Sequence, residues 1–289
     1  MNERDMKDGG KASTGYEYIG GWAHGESQFW ADLNGILHLQ AVQWEPAGQQ
    51  ILDEIGDGNG LRAVDIGCGG LGWLRLLSRW VGETGEVVGT EVGDSNAEPA
   101  LQTVRGEGLS NVSVVVDDVF HSNLLDHSFD LVHARNMLGP VGRPEEQLAT
   151  YSRIVKPGGW LVLEDILDAN FWTFNPEGSA PASERLAAMV TGHLVATLGR
   201  KTSAGRQIRS YLRHYSESPV IRTQILTLPP GHAYRALALV TAAGLRASMA
   251  AEYGAEVIDD LLGRSREELQ DPEVWCATFP LVQGYVRMP

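Results

Sequence analysis

Two kinds of residue in this chain stand where they can hold a small ligand: glycines packed into one short stretch, and carboxylates at the ends of apolar runs. The glycines lie in Val64-Asp65-Ile66-Gly67-Cys68-Gly69-Gly70-Leu71-Gly72. Glycine allows a positive φ and lets a ligand come close to main-chain atoms. The spacing satisfies the G-x-G-x-x-G pattern of dinucleotide sites, a weak signal alone. Asp65 argues against that ligand, because a carboxylate just ahead of the turn would lie near a bound pyrophosphate. Two like charges roughly 4–6 Å apart at an effective dielectric of about 20 repel by about 3–4 kcal/mol. The turn is therefore expected to receive a ligand without phosphate.

Two further acids extend the pattern. Glu91 closes the run Val87-Val88-Gly89-Thr90, about 20 residues beyond the turn, where a carboxylate accepts hydrogen bonds from two ribose hydroxyls. Asp117 and Asp118 close Val114-Val115-Val116, and one of them can accept from an adenine amino group. Acids at three successive strand ends fit one adenosine-containing cation lying across a sheet edge. S-adenosylmethionine has that chemistry, with an ammonium, a sulfonium and no phosphate. A nicotinamide cofactor would also want Glu91, but Asp65 and Asp118 oppose its phosphates.

Candidate groups for moving a proton are Glu164 and Asp165, at the end of a fifth apolar run, and His193, on the apolar face of a later helix. Arg135 and Asn136 follow the fourth run, where groups meet a ligand's polar end or the substrate. His133, inside that run, reads as a satisfied core histidine. His121, His127, His214 and His232 receive no role.

The elements that must position these groups are legible from Leu61 onward. Short apolar runs at Ala63–Ile66, Glu86–Thr90, Val112–Val116, Phe129–Ala134 and Trp160–Glu164 alternate with helical segments. This is the pattern of a parallel sheet with helices on both faces, its strands buried on both sides. Lys156-Pro157-Gly158-Gly159 is expected to end a helix and turn into the fifth run. Ahead of the core, residues 1–14 read as a polar tail. An aromatic arm follows, with Phe29, Leu33, Ile36, Leu37 and Gln40 at helical spacing. Residues 1–45 are thus tail and helical arm, and residues 46–289 the main domain.

Two insertions interrupt the alternation, at about 166–203 and 229–277. The first carries a helix with the stripe Leu186, Met189, Val190, His193 and Leu194, and the second is expected to be helical throughout. Between them a helix near 205–214 and a strand near 220–228 are expected, and Leu281–Arg287 forms a last strand.

Composition narrows the classes. The 289 residues include 37 acidic and 23 basic side chains, a formal net charge of −14. Such a field repels phosphate backbones and anionic lipid surfaces, so neither nucleic acid nor membrane is an expected partner. Cys68 and Cys276 alone make neither a disulfide framework nor a thiolate metal site, so no metal is expected. With a polar start and no spanning apolar run, a cytoplasmic protein is expected.

The strings VDIGCGGLGWL (64–74), VVGTEV (87–92), VVVDDVF (114–120), FDLVHARNML (129–138) and RIVKPGGWLVLEDI (153–166) resemble, in order and spacing, the successive motifs of class I S-adenosylmethionine-dependent methyltransferases. The resemblance implies a seven-stranded, mostly parallel Rossmann-like sheet with an antiparallel last strand, an N-terminal helical arm and helical cap insertions. It implies Gly67 and Gly69 against the methionine part, Glu91 on the ribose and Asp118 with Val119 around the adenine, with Asp65, Val92 and Arg135 also among the cofactor-binding residues. The flanks, 37–46 and 280–286, look like those of bacterial methyltransferases of secondary metabolism, including antibiotic biosynthesis, in which Tyr16 or Tyr18 and Gln40 of the arm would fold over the cofactor. Gly70, where many relatives carry proline, departs from the pattern without disturbing it.

The expected activity is methyl transfer to a small, apolar, aromatic or terpenoid substrate. Two other chemistries fit the same site: C-methylation of an alkene or prenyl chain through a carbocation, and a non-methylating enzyme that retains the cofactor. An aromatic arm that needs a surface to cover also makes exchange between subunits, and hence a homo-oligomer, a natural expectation.

Overall fold

The computed structural model describes residues 27–167, 172–174, 180–198 and 204–289. Tyr16, Tyr18, Trp22 and Phe171 lie outside the described residues. In chain order the strands are β1 (Arg62–Ile66), β2 (Glu86–Glu91), β3 (Val112–Val116), β4 (Phe129–Arg135), β5 (Val155–Ile166), β6 (Thr173–Phe174), β7 (Val220–Gln224), β8 (Thr227–Leu228), β9 (Cys276–Ala277) and β10 (Leu281–Arg287). The helices are α1 (Ser27–Ile55), α2 (Leu74–Val81), α3 (Asp94–Glu107), α4 (Leu138–Val141), α5 (Pro144–Ile154), α6 (Pro181–Leu198), α7 (Ile208–Leu212), α8 (Leu237–Gly244), α9 (Arg246–Tyr253) and α10 (Ala255–Glu268).

Seven strands make one sheet in the order β3-β2-β1-β4-β5-β10-β7. Neighbours are parallel except at β10, which runs antiparallel to both β5 and β7. This is the Rossmann-like methyltransferase sheet. The strand order reverses between β1 and β4, so the carboxyl ends of those strands open a crevice where ligands bind in such folds.

Each face has its own core. On one, Val64, Ile66, Val132, Ala134, Leu161 and Leu163 meet Leu148, Tyr151 and Ile154 of α5 and Ile208 and Leu212 of α7. On the other, Ala63, Leu131 and Val162 meet Ile51 and Leu52 of α1 and Leu74 and Leu77 of α2. α1 reaches that face because Gln40, Trp44, Ala47 and Ile51 recur at spacings of 4, 3 and 4, one stripe of a helix, and all four are buried.

The structure departs from the expectations in several places. The arm is one helix that runs unbroken through Pro46, past the expected boundary at residue 45. β3 is an edge strand, so Val115 and Val116 are exposed instead of covered on both faces. Lys156-Pro157-Gly158-Gly159 belongs to β5: α5 already ends at Ile154, and Gly158 and Gly159 exchange backbone hydrogen bonds with Met288. The strand expected over 220–228 breaks after Gln224, and its last residues join a different sheet. That second sheet, β6-β9-β8, takes one two-residue strand from each of three distant segments. It also corrects the expectation of an all-helical second insertion, which ends in β9.

The insertions form a cap with two cores. Trp44, Trp172, Phe174, Tyr234 and Phe279 dominate an aromatic one next to the small sheet. Leu186, Val190, Leu245, Met249, Ile258 and Leu261 dominate a helical one built from α6, α9 and α10 with α8. Among the described residues no helix is long and apolar enough to cross a membrane.

Candidate functional site

The glycine turn links β1 to α2 at the crevice. Gly67, Gly69 and Gly72 all have positive φ, near +65°, +57° and +48°. A Cβ on Gly67 would stand 2.3 Å from the Met137 sulfur, so that glycine is fixed by packing. A Cβ on Gly69 would meet nothing within 4 Å, so the turn presents an open floor there. The turn is also tied to β2: Cys68 N donates to Thr90 O at 3.1 Å and Gly67 N to Thr90 Oγ1 at 3.3 Å.

Glu91 stands over that floor. Its Oε1 accepts from Gly69 N at 2.6 Å, and among the described residues it makes no ion pair. Burial pushes its carboxyl up; the Gly69 and Val92 N–H groups pull it back and the Asp65 charge adds to the rise, leaving it at about 7. A half-buried carboxylate with no ion pair among the described residues, beside open space, has unused accepting capacity. The backbone at Val92 is held by Asn96, whose Nδ2 donates to Val92 O at 2.8 Å.

Asp118 follows β3. Its Oδ1 accepts from Phe120 N and its Oδ2 contacts His121 Nδ1, both at 2.9 Å, so the carboxylate also shapes its own turn. Asp117 does likewise for Asn123 N at 2.8 Å. Val119 is buried in the sheet core, its carbonyl taken by Thr150 Oγ1 at 2.7 Å.

Asp65 does not offer its carboxylate to the crevice as the electrostatic argument expected. It is 1% exposed, and both oxygens are engaged beneath the turn. Oδ2 accepts from Trp73 N at 2.6 Å, at the start of α2, where unpaired N–H groups favour an anion. Oδ1 meets His133 Nδ1 at 2.7 Å. Asp65 thus acts on the turn by holding it in place. One consequence is measurable at Gly72, where a Cβ would fall 2.2 Å from Asp65 Oδ2 and 2.5 Å from Cys68 O. Gly72→Ala must also adopt a left-handed conformation that costs about 1–2 kcal/mol before any clash. It is expected to lower the melting temperature by several degrees; an unchanged melt would show that Asp65 does not brace the turn.

His133 is a fully buried core histidine, as its place inside the run implied. Its Nε2 lies 3.1 Å from Glu164 Oε2, and its ring stacks on Trp73 at 3.9 Å. Burial pushes its pKa down, but Asp65 and Glu164 together hold it above the ordinary histidine range. Glu164 also accepts from Trp73 Nε1 at 3.1 Å and from Gln283 Nε2. Burial raises its carboxyl, and His133, Arg135 and Gln283 outweigh that and leave it lowered. The chain of contacts continues from Gln283 to Gln224 at 3.2 Å and on to Gln50 at 3.3 Å. A polar seam therefore crosses the sheet from the glycine turn to the arm.

The three proton-transfer candidates do not converge. Glu164 is enclosed in the seam. Asp165 is fully buried: Oδ2 accepts from Gly139 N at 3.0 Å and Oδ1 from Ile166 N at 2.8 Å, and burial, partly offset by these N–H groups, raises it to about 6. His193 sits inside the helical cap, with Nδ1 2.6 Å from Glu252 Oε2 and Nε2 3.0 Å from Ser248 Oγ, both on α9.

Gln40 is buried and donates from Nε2 to Tyr234 OH at 2.7 Å. Arg135 is mostly buried, its Nη1 3.7 Å from Glu164 and without a hydrogen bond, and Asn136, at φ +55°, has a buried Oδ1 without a partner. Tyr234, Trp73 and Gln283 were not foreseen as site residues. For Gln283 there was a signal, an amide amid the apolar run Leu281–Val286.

Residues 64–163 match the family model described as "Methyltransferase domain". The chain is 30% identical over 130 residues to a demethylmenaquinone methyltransferase of Staphylococcus aureus (strain MRSA252), covering 45% of this chain and 52% of that protein. It is 28% identical over 130 residues to the enzyme of the same name from Staphylococcus saprophyticus, covering 45% and 54%. The chain therefore spans about half the length of the curated relatives it matches. A putative methyltransferase from Bacillus halodurans superposes with a TM-score of 0.54 at 16% identity, over 84% of this chain and 99% of that one, which shows the shared fold. The domain match over residues 64–163, the sheet order and the turn placed against Glu91 support a class I S-adenosylmethionine-dependent methyltransferase.

Proposed function

We propose that this protein transfers the methyl group of S-adenosylmethionine to a small apolar acceptor, as a cytoplasmic enzyme of bacterial secondary metabolism. The observation that carries this reading is Glu91, a half-buried carboxylate with no ion pair among the described residues, set against the open floor at Gly69. Its accepting capacity suits two ribose hydroxyls. Gly67 and Gly69 would take the methionine end, with Arg135 near it, and Asp118 with Val119 would border the adenine. When bound, the cofactor supplies an electrophilic methyl carbon on a sulfonium. This chain's residues have to place an acceptor in line with that carbon and keep water out. Gln40, Trp44 and Tyr234, which meet where the arm packs on the cap, are suited to that work.

The aromatic walls also favour a second reading, C-methylation of an alkene or prenyl chain, since ring faces stabilise a passing carbocation. Calorimetry with S-adenosylhomocysteine, followed by product analysis with methyl-labelled cofactor, tests both. Binding and label on an acceptor oxygen or nitrogen are expected. Label on carbon would favour the second reading, and no binding of either form of the cofactor would end both.

A further inference from the structure

His193 finds its partners inside the helical cap, and the set it forms there has a chemistry of its own. The cap core holds both helices concerned, burying Leu186 and Val190 of α6 against Leu245 and Met249 at α9. His193, on α6, is 4% exposed. Its Nδ1 lies 2.6 Å from Glu252 Oε2 and its Nε2 3.0 Å from Ser248 Oγ, two residues one turn apart on α9. A carboxylate at that distance keeps the ring proton on Nδ1, which turns the Nε2 lone pair toward the serine. Glu252 also takes a hydrogen bond from the Tyr253 hydroxyl, and the Tyr253 ring stands edge-on to the imidazole at 6.4 Å. Ser248 itself is exposed. Its hydroxyl hydrogen turns either to Leu245 O, at 3.0 Å, or to Nε2. Ser248 stands in the first turn of α9, where the N–H groups of Arg246, Ala247 and Ser248 have no carbonyl inside the helix to bond and no side chain capping them. Beside the set, a Cβ on exposed Gly192 would meet only Tyr253 OH, at 3.7 Å, so the approach past α6 is open.

We infer that Ser248, His193 and Glu252 are a nucleophile, base and orienting acid, and that the cap carries a second activity, hydrolysis of small activated esters. An exposed hydroxyl on one imidazole nitrogen and a carboxylate on the other are the roles and geometry by which such a triad is recognised on any fold. Ser248 Oγ attacks the ester carbonyl carbon while its proton passes to His193 Nε2, and the charge on Glu252 steadies the imidazolium. The first-turn N–H groups of α9, at the positive end of the helix, supply hydrogen bonds to the carbonyl oxygen as it gains charge. The bond from the carbonyl carbon to the alcohol oxygen then breaks, and the alcohol leaves with the proton from Nε2. Water repeats these steps on the acyl-serine: it gives a proton to Nε2, its oxygen bonds to the carbonyl carbon, and the acid departs as Ser248 regains its proton. Because the serine lies at the surface and not at the foot of a cleft, the acyl groups taken are short ones. Nothing in this chemistry depends on the proposed methyl transfer.

The whole protein is treated with a fluorophosphonate, which bonds to activated serines and spares ordinary ones, and is assayed separately with p-nitrophenyl acetate. Peptide mass spectrometry is expected to find the phosphonyl group on Ser248, and nitrophenolate release is expected to continue past one equivalent per chain. Ser248→Ala, a change at an exposed position, is expected to lose the label and about a hundredfold or more of the turnover, with its circular dichroism and its S-adenosylhomocysteine affinity unchanged. His193→Gln should lose about as much, and Glu252→Gln about tenfold. A contact that serves only to join the two helices gives the opposite results: no label on Ser248, and ester turnover that survives Ser248→Ala. Either of these would overturn the inference. Labelling of the wild-type protein decides the matter even if a variant does not fold. Neither readout involves the cofactor, so a failure of S-adenosylhomocysteine to bind would end the methyl-transfer reading alone.

Discussion

Replacing Glu91 by Gln is expected to weaken S-adenosylhomocysteine binding by about a hundredfold or more, because hydrogen bonds to a charged group are each worth roughly 1.5–3 kcal/mol and two are assigned to this carboxylate. The same residue sets a pH dependence. Unliganded Glu91 holds its proton up to about 7, whereas a carboxylate receiving two hydroxyls must be ionised. Binding therefore expels a proton below about pH 7, and affinity rises with pH. For one group of this kind the gain between pH 6 and pH 8 is about tenfold. The sign for stability is opposite: the empty fold binds more protons than the unfolded chain between the ordinary glutamate range and about 7, so this group's contribution declines as pH rises through that window. Calorimetry at pH 6, 7 and 8 checks the first part, and Glu91→Gln should give a flat profile. A wild-type affinity that ignores pH, or that falls as pH rises, would remove Glu91 from the ribose.

The second large effect belongs to His133→Phe. Phenylalanine can keep the stack on Trp73, but it leaves Asp65 and Glu164 buried without the group between them. Breaking a buried pair from one side costs about 3–5 kcal/mol, which corresponds to a fall of roughly 10 °C in melting temperature for a domain this large. The pH signature separates this from a simple packing defect. His133 titrates above the ordinary histidine range in the fold. Its contribution is therefore complete below the unfolded histidine value and is lost as pH rises through the folded one. Glu164, lowered in the fold, contributes above the unfolded carboxylate value and is lost only as pH falls through its folded one. Thermal melts from pH 5 to pH 9 should show wild type losing stability at the alkaline end and the variant losing much less there. Parallel curves would mean that the imidazole is neutral and that the seam is held by hydrogen bonds alone.

Local pattern carried much of the fold. The five apolar runs, the glycine turn and Glu91 at a strand end were legible because each is a contiguous stretch whose chemistry and period speak for themselves. Asp65 shows where that reading stops. Its type and place were clear, but its partners, His133 across the neighbouring strand and Trp73 at the helix start, are set by strand order and not by neighbours in sequence. The same holds for Tyr234, one aromatic residue in an alanine- and leucine-rich stretch, which matters only because α1 brings Gln40 to it. β3 looked like an interior strand because its valines match those of β1 and β2, yet sheet order puts it at the rim. Strands of two residues, such as β6, β8 and β9, carry no period at all.

That small sheet has a further implication. Each insertion supplies an outer or central strand, and the segment that follows β7 supplies the remaining one. The covering structure is consequently a single woven unit, although the gene encodes it in three separated pieces. An attempt to retarget the enzyme by grafting one insertion from a relative would strand the other two without hydrogen-bonding mates. Substrate range in this chain should therefore change through point substitutions on the inner aromatic surface, or through exchange of all three pieces together.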